Sequence, residues 1–175
     1  MQRLISSILF AAFAFLTLSA EDCGTQHFIE DSGFDLWCDE QLCAWEVEAG
    51  QVVQTPSWHK DDYAVEFVGD SVVISQLSVG ARTTCLRFEV LADIDDNARV
   101  FLEMDFFDDG VLDYEEELAH VRWERLTFLV GTRANWDSVR FTLRKEGPGR
   151  ARLAQIEATD AAACVGDPLE VEDHN

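Results

Sequence analysis

Apolar and polar residues alternate along most of this chain with a period of two. In Val139-Arg-Phe141-Thr-Leu143-Arg the alternation is strict, the signature of a strand with one face buried. Leu86-Arg-Phe88-Glu-Val90 repeats it. Val100, Leu102, Met104 and Phe106 form one face of another strand, with Glu103 and Asp105 on the other. Leu126, Phe128 and Val130 obey the same rule, as do Val65 with Phe67 and Val72 with Ile74. No stretch has a convincing helical period. Such runs recur at spacings of roughly 8–12 residues between turn signals, which predicts an all-β sandwich. The expected turns are Ala49-Gly50, Gly69-Asp70, Asp109-Gly110 and Gly147-Pro148-Gly149. Asp-Gly between alternating runs is a strong hairpin signal.

The two ends break the pattern. Met1, Gln2 and Arg3 precede an apolar run from Leu4 to Leu18, and Ser19 and Ala20 lead into Glu21 and Asp22. A charged start, an apolar stretch and a small-residue exit make residues 1–20 a cleaved signal peptide by expectation. The run is too short for a membrane span, so no membrane insertion is expected once it is removed. Residues 21–164 form the expected single domain, large enough to bury a core. Residues 165–175, with Pro168 and little apolar content, are expected to form a flexible acidic tail. The expected location is secreted: extracellular or periplasmic.

Charge narrows the partners. The chain carries 34 acidic and 13 basic residues, a net charge of −21. Nucleic acid and anionic membrane surfaces both require a basic face, so neither is an expected partner.

Chemistry-bearing motifs are few. None of the five cysteines sits in a zinc-type spacing, and no metal site is expected from them. In an oxidising compartment they should pair, leaving one over. Cys38 and Cys43 enclose four residues, short enough for a tight turn and a disulfide. Asp105 to Glu116 places Asp, Asp, Gly, Asp and Glu at positions 1, 5, 6, 9 and 12 of a calcium-loop template. Position 3 is Phe107, and strands rather than helices flank the segment, so a hairpin at Asp109-Gly110 is the better reading. A second acidic group, Asp93, Asp95 and Asp96, lies a strand away, roughly 30 Å at about 3.3 Å per residue, so the two groups cannot share an ion. His27, His59, His120 and His174 lack the Ser or Cys context of a triad, and Gly-x-Ser-x-Gly is absent. Carboxylates are abundant, but a glycosidase needs two placed across one bond, and abundance is not placement. No enzymatic activity is expected.

Among the tryptophans, Trp45 and Trp136 stand at strand starts and are assigned to the core. Trp37 beside Cys38 is read as a cover for the small disulfide loop. Trp58 lies in a polar loop, Pro56-Ser-Trp58-His59-Lys60. A flat ring in solvent reach, with donors and acceptors at its edge, is suited to stacking on a sugar. Trp58 and His59 are therefore the candidate ligand-binding residues, although the same Trp could pin the loop to the sandwich.

The order of these features resembles a known family. Gly33-Phe34-Asp35, Trp45, Gly50, the Trp58-His59 loop, Val65 to Gly69 and Ser71 to Gln76 are similar to the opening of galactose-binding-like jelly rolls, which include many carbohydrate-binding modules. Trp136-Asp-Ser-Val139-Arg-Phe141 and Leu153-Ala-Gln-Ile156 resemble the last two strands of that fold. The resemblance implies a jelly-roll β-sandwich of two antiparallel sheets and a non-catalytic module, with glycan as the partner. It implies no cofactor, apart from the structural calcium common in such folds. It also implies neighbouring first and last strands, hence a Cys23–Cys164 disulfide with Cys85 left over; Cys85 with Cys23 or Cys164 is the competing pairing. The rival function is a structural or interaction domain of the cell envelope with a protein partner and no glycan. A groove with aromatics and amides would favour the first, and a flat apolar patch of several hundred Å² the second.

Overall fold

A computed structural model describes residues 26–59, 62–79, 83–132, 136–162 and Cys164. The expected signal peptide, the acidic tail and Cys23 lie outside these. Among the described residues there is no helix. Ten strands follow in order: β1 (Trp37–Cys38), β2 (Gln41–Leu42), β3 (Glu46–Pro56), β4 (Tyr63–Val79), β5 (Cys85–Ile94), β6 (Arg99–Phe106), β7 (Tyr114–Leu118), β8 (Val121–Gly131), β9 (Ser138–Glu146) and β10 (Ala151–Asp160).

All pairings are antiparallel, in the order β7-β6-β9-β4-β10-β5-β8, with β3 on the other side of β4 and β1–β2 a separate small hairpin. β4 belongs to both layers of the sandwich. Its Val65–Phe67 pair with β10, whereas Ser71–Val79 pair with β9. The sheet divides between these segments, so that β7-β6-β9 and β10-β5-β8 face each other across the core. Alternation decides what lies between. Val139, Phe141 and Leu143 of β9 are buried, as are Leu86, Phe88 and Val90 of β5. Phe88 meets Phe141 edge-on at 5.8 Å between centroids and stacks on Phe128 at 5.2 Å. Trp136, 1% exposed, closes one end against Phe28 and Phe106. Each such side chain contributes about 1.5–3 kcal/mol by leaving water. Trp45 and Trp136 are core residues, as their positions at strand starts implied.

Two expected turns are not turns. Gly50 sits inside β3, where the register with β4 shifts, and has φ 76°. A Cβ there would lie 2.5 Å from the Ser71 carbonyl oxygen, so the bulge needs glycine. Gly69, at φ 99°, lies within the 17-residue β4 where it passes from β10 to β9. A glycine signal reports a positive φ, which a bulge or bend uses as readily as a hairpin. The Gly147-Pro148-Gly149 turn is present, packed against the Asn97–Ala98 backbone. Lys145, 1% exposed, ties this turn to the β4 bend: its Nζ donates to the carbonyls of Gly147, at 2.7 Å, and Gly69. Burial lowers its pKa, and Asp70 opposes the shift.

The short disulfide forms as expected, with Cys38 and Cys43 Cα atoms 5.3 Å apart. The long one is corrected. Cys164 bonds to Cys85, with Cα atoms 5.5 Å apart, and not to Cys23. The cause is strand order. β10 runs beside β5 with Asp160 opposite Leu86, and Ala161 N–H donates to the Cys85 carbonyl at 3.0 Å. The chain leaving β10 is thereby delivered to Cys85, which is no spare thiol. The two ends of the domain do meet: His27 bridges Thr159, and Phe28 N–H donates to the Ala158 carbonyl.

Candidate functional site

The loop between β3 and β4 closes on itself. Ser57 N–H donates to the Asp62 carbonyl at 3.0 Å, Asp62 N–H to the His59 carbonyl at 3.3 Å, and His59 N–H to the Ser57 hydroxyl at 3.2 Å. These bonds lift Trp58 into solvent, where it is 56% exposed, with the His59 ring edge-on at 4.1 Å. Tyr63 opens β4 and is 47% exposed.

Facing this loop is the segment before β1. Asp31 and Phe34 both take a positive φ, 51° and 55°. The Asp31 carboxylate holds the turn by accepting the Asp35 N–H at 2.7 Å and the Leu36 N–H at 3.2 Å. Phe34 is fully buried against Trp45, 5.5 Å between centroids, and anchors the segment. Gly33 and Asp35, on either side of that anchor, face outward. The floor comes from β5 and β10. A register shift between Leu153 and Gln155 bulges β10, and Ile156 N–H donates to the Ser32 carbonyl at 2.8 Å, fastening the segment to the bulge.

Together these elements enclose a cleft of about 260 Å³, lined by Ser32, Asp35, Trp58, Asp62, Tyr63 and Gln155 with smaller apolar neighbours. Its carboxylates repel one another. The Asp35 pKa is pushed above the ordinary carboxylate value by partial burial first, then by Asp31 and Asp62. The Gln155 amide accepts from Arg125 at 3.2 Å and donates to Glu157, so its orientation is fixed. Of the two residues marked in the sequence, Trp58 lines the cleft and His59 stands outside it, braced against the Trp58 ring. Sequence reading missed Asp35, Asp62, Tyr63 and Gln155. Asp62 and Tyr63 follow Trp58 in its own loop, whereas Asp35 comes from the segment before β1, and the bulge in β10 brings Gln155 to the others.

The other acidic motifs have different employment. Asp105 accepts from the N–H groups of Asp109 and Gly110, Asp109 from Val111, and Asp113 from Phe106. Asp108 forms an ion pair with Arg140 at 2.7 Å. This segment is the hairpin between β6 and β7 expected from Asp109-Gly110. At the far end of β6, Asp93 is buried and paired with Arg152, while Asp95 meets Arg150 at 3.4 Å. Among the described residues, no three His, Cys, Asp or Glu side chains converge to hold a metal ion.

No protein-family model and no curated protein matches the chain. Solved structures do. A family 61 carbohydrate-binding module in complex with β-1,4-galactotriose superposes with a TM-score of 0.57 at 14% identity, over 78% of this chain and 99% of that one. A family 16 carbohydrate-binding module gives 0.58 at 10% identity, over 75% and 98%. The enzymatically active fragment of bacteriophage CBA120 tailspike protein 4 gives 0.59 at 9% identity, over 75% of this chain but only 21% of that one. At such identities the likeness is one of fold, and the fold is the galactose-binding-like jelly-roll sandwich of these carbohydrate-binding modules.

Proposed function

We propose that this protein is an exported, non-catalytic glycan-binding module whose ligand lies in the cleft beside Trp58. The observation that carries the reading is two exposed aromatic rings, Trp58 and Tyr63, in one cleft with carboxylates and an amide. A pyranose ring has apolar C–H faces and polar hydroxyl edges. The aromatic rings suit the first, and Asp35, Asp62 and Ser57 suit the second. The fastened loop and anchored segment limit the ordering cost of binding. Modules of the same fold solved with oligosaccharides support the reading, as do the two disulfides, which belong to an oxidising compartment.

The test is a glycan array probed with the protein beginning at Glu21, in parallel with Trp58→Ala. The expected result is a defined set of oligosaccharides bound by the first and lost by the second, with the ligand recovered uncleaved. Asp35 and Asp62 are also the residue types of a glycosidase, so hydrolysis of the bound oligosaccharide would overturn the non-catalytic part. A blank array, or binding indifferent to Trp58, would overturn the rest.

A further inference from the structure

Among the described residues, the charge of the cleft is one-sided. Asp35 and Asp62 line it and Asp31 stands behind Asp35, while no Lys or Arg is among its described lining residues. Arg125, which donates to Gln155, is itself ion-paired with Glu89, a carboxylate it shares with Arg87. Asp31 is occupied with the backbone of its own turn. Asp35 is not: no hydrogen bond from a described residue reaches its carboxylate. Gly33 keeps that carboxylate accessible, because a Cβ at Gly33 would sit 2.7 Å from the Asp35 Oδ2. The gap is therefore set by the missing side chain, and Gly33 has no positive φ to require glycine for another reason.

A group that relieved this field would be positive, and two limits define it further. Among the described residues, no three of its carboxylates converge to hold a metal ion. The rings of Trp58 and Tyr63 offer apolar faces that also attract cations. A compact ammonium carried on an apolar ring scaffold meets all three conditions. We propose that the cleft selects glycans carrying free amino groups, 2-amino-2-deoxyhexose residues in their protonated form, over N-acetylated and carboxylated counterparts. This rests on the reading of the cleft as a glycan site and names its ligand class. The ammonium sits between Asp35 and Asp62, and the C–H face of the same sugar lies on Trp58. An N-acetyl group removes the charge, and a uronate reverses it against three carboxylates.

The experiment is calorimetric titration of the protein from Glu21 with three tetrasaccharides in mildly acidic buffer: β-1,4-glucosamine, β-1,4-N-acetylglucosamine and α-1,4-galacturonate. The expected order places the glucosamine oligomer first by about tenfold or more, with the advantage shrinking as salt rises. Asp35→Asn/Asp62→Asn abolishes the preference. Gly33→Ala, which displaces the Asp35 carboxylate without changing its charge, weakens the glucosamine oligomer in particular. Because the whole chain is acidic, Glu115→Gln/Glu117→Gln on β7 serves as a charge-matched control and leaves the preference intact. Equal or tighter binding of the acetylated oligomer overturns the proposal. So does a preference that survives both cleft variants, or one that falls equally in the β7 control. If neutral oligosaccharides bind through Trp58 with no amine preference, the ligand class fails and the glycan site stands. If no oligosaccharide binds, both fail.

Discussion

The turn between β6 and β7 and the cleft beside Trp58 are built from the same material, aspartates around a glycine, and employ it in opposite ways. In the turn, carboxylates accept backbone N–H groups or pair with arginine: Asp105 takes two N–H groups, Asp113 takes one, and Asp108 holds Arg140. Beside the cleft, Asp31 serves the backbone, while Asp35 has no donor among the described residues and lies in the field of two other acids. A carboxylate fully engaged by its own fold has little left for a ligand. One held in repulsion beside exposed aromatics is available and gains from a partner. Density of acids therefore says little about function in this chain, whereas the state of their hydrogen bonds says much.

The contrast can be broken at either region. The largest expected effect is on binding: Trp58→Ala should cost about 2 kcal/mol or more of glycan affinity while leaving the melting temperature unchanged, because the ring is exposed. An unfolded variant would make the loop structural. Next is Asp105→Asn, which weakens two charge-assisted acceptors and should lower stability by about 1 kcal/mol in urea denaturation without touching affinity. Tyr63→Ala should lower affinity by about 1 kcal/mol, with little effect on stability. Gly110→Ala comes below these. Gly110 has φ 85° but open space around it, so only the backbone conformation is penalised, by roughly 1 kcal/mol or less.

The smallest effect has the most telling sign. Asp35 has a raised pKa in the folded state, so its protonated form favours folding and its charged form opposes it. Stability should fall as pH rises through the ordinary carboxylate range and above it. Asp35→Asn should therefore be slightly more stable than the native chain at neutral pH, with the difference vanishing in acid. Thermal melts of Asp35→Asn and the native chain at several pH values would show it.

Strand content was legible because alternation is local: β5, β6 and β9 follow from their own residues. What the strands do was less so. Gly50 and Gly69 announce positive φ, but whether that makes a turn or a bulge depends on Ser71 and on the strands flanking β4. The Cys38–Cys43 bridge lies within one hairpin and needed no topology. The Cys85–Cys164 bridge depends on β10 lying next to β5, which no short stretch encodes. The site divides the same way. Trp58 stands out in its polar loop, with Tyr63 close behind it in sequence, whereas Asp35 and Gln155 acquire meaning only when a buried Phe34 and a bulged β10 bring them to that loop.

The central claim is that the aromatic cleft, and not the acid-rich turn, receives a glycan. It is tested most directly by a ¹⁵N–¹H NMR titration of the protein from Glu21 with an oligosaccharide selected on the array. The predicted result is saturable shifts at the Trp58 indole and at the amides of Asp35, Tyr63 and Gln155, with Asp105 to Asp113 unmoved. Shifts centred on Asp105 to Asp113, or on the outer face of β9, with Trp58 unchanged, would contradict it.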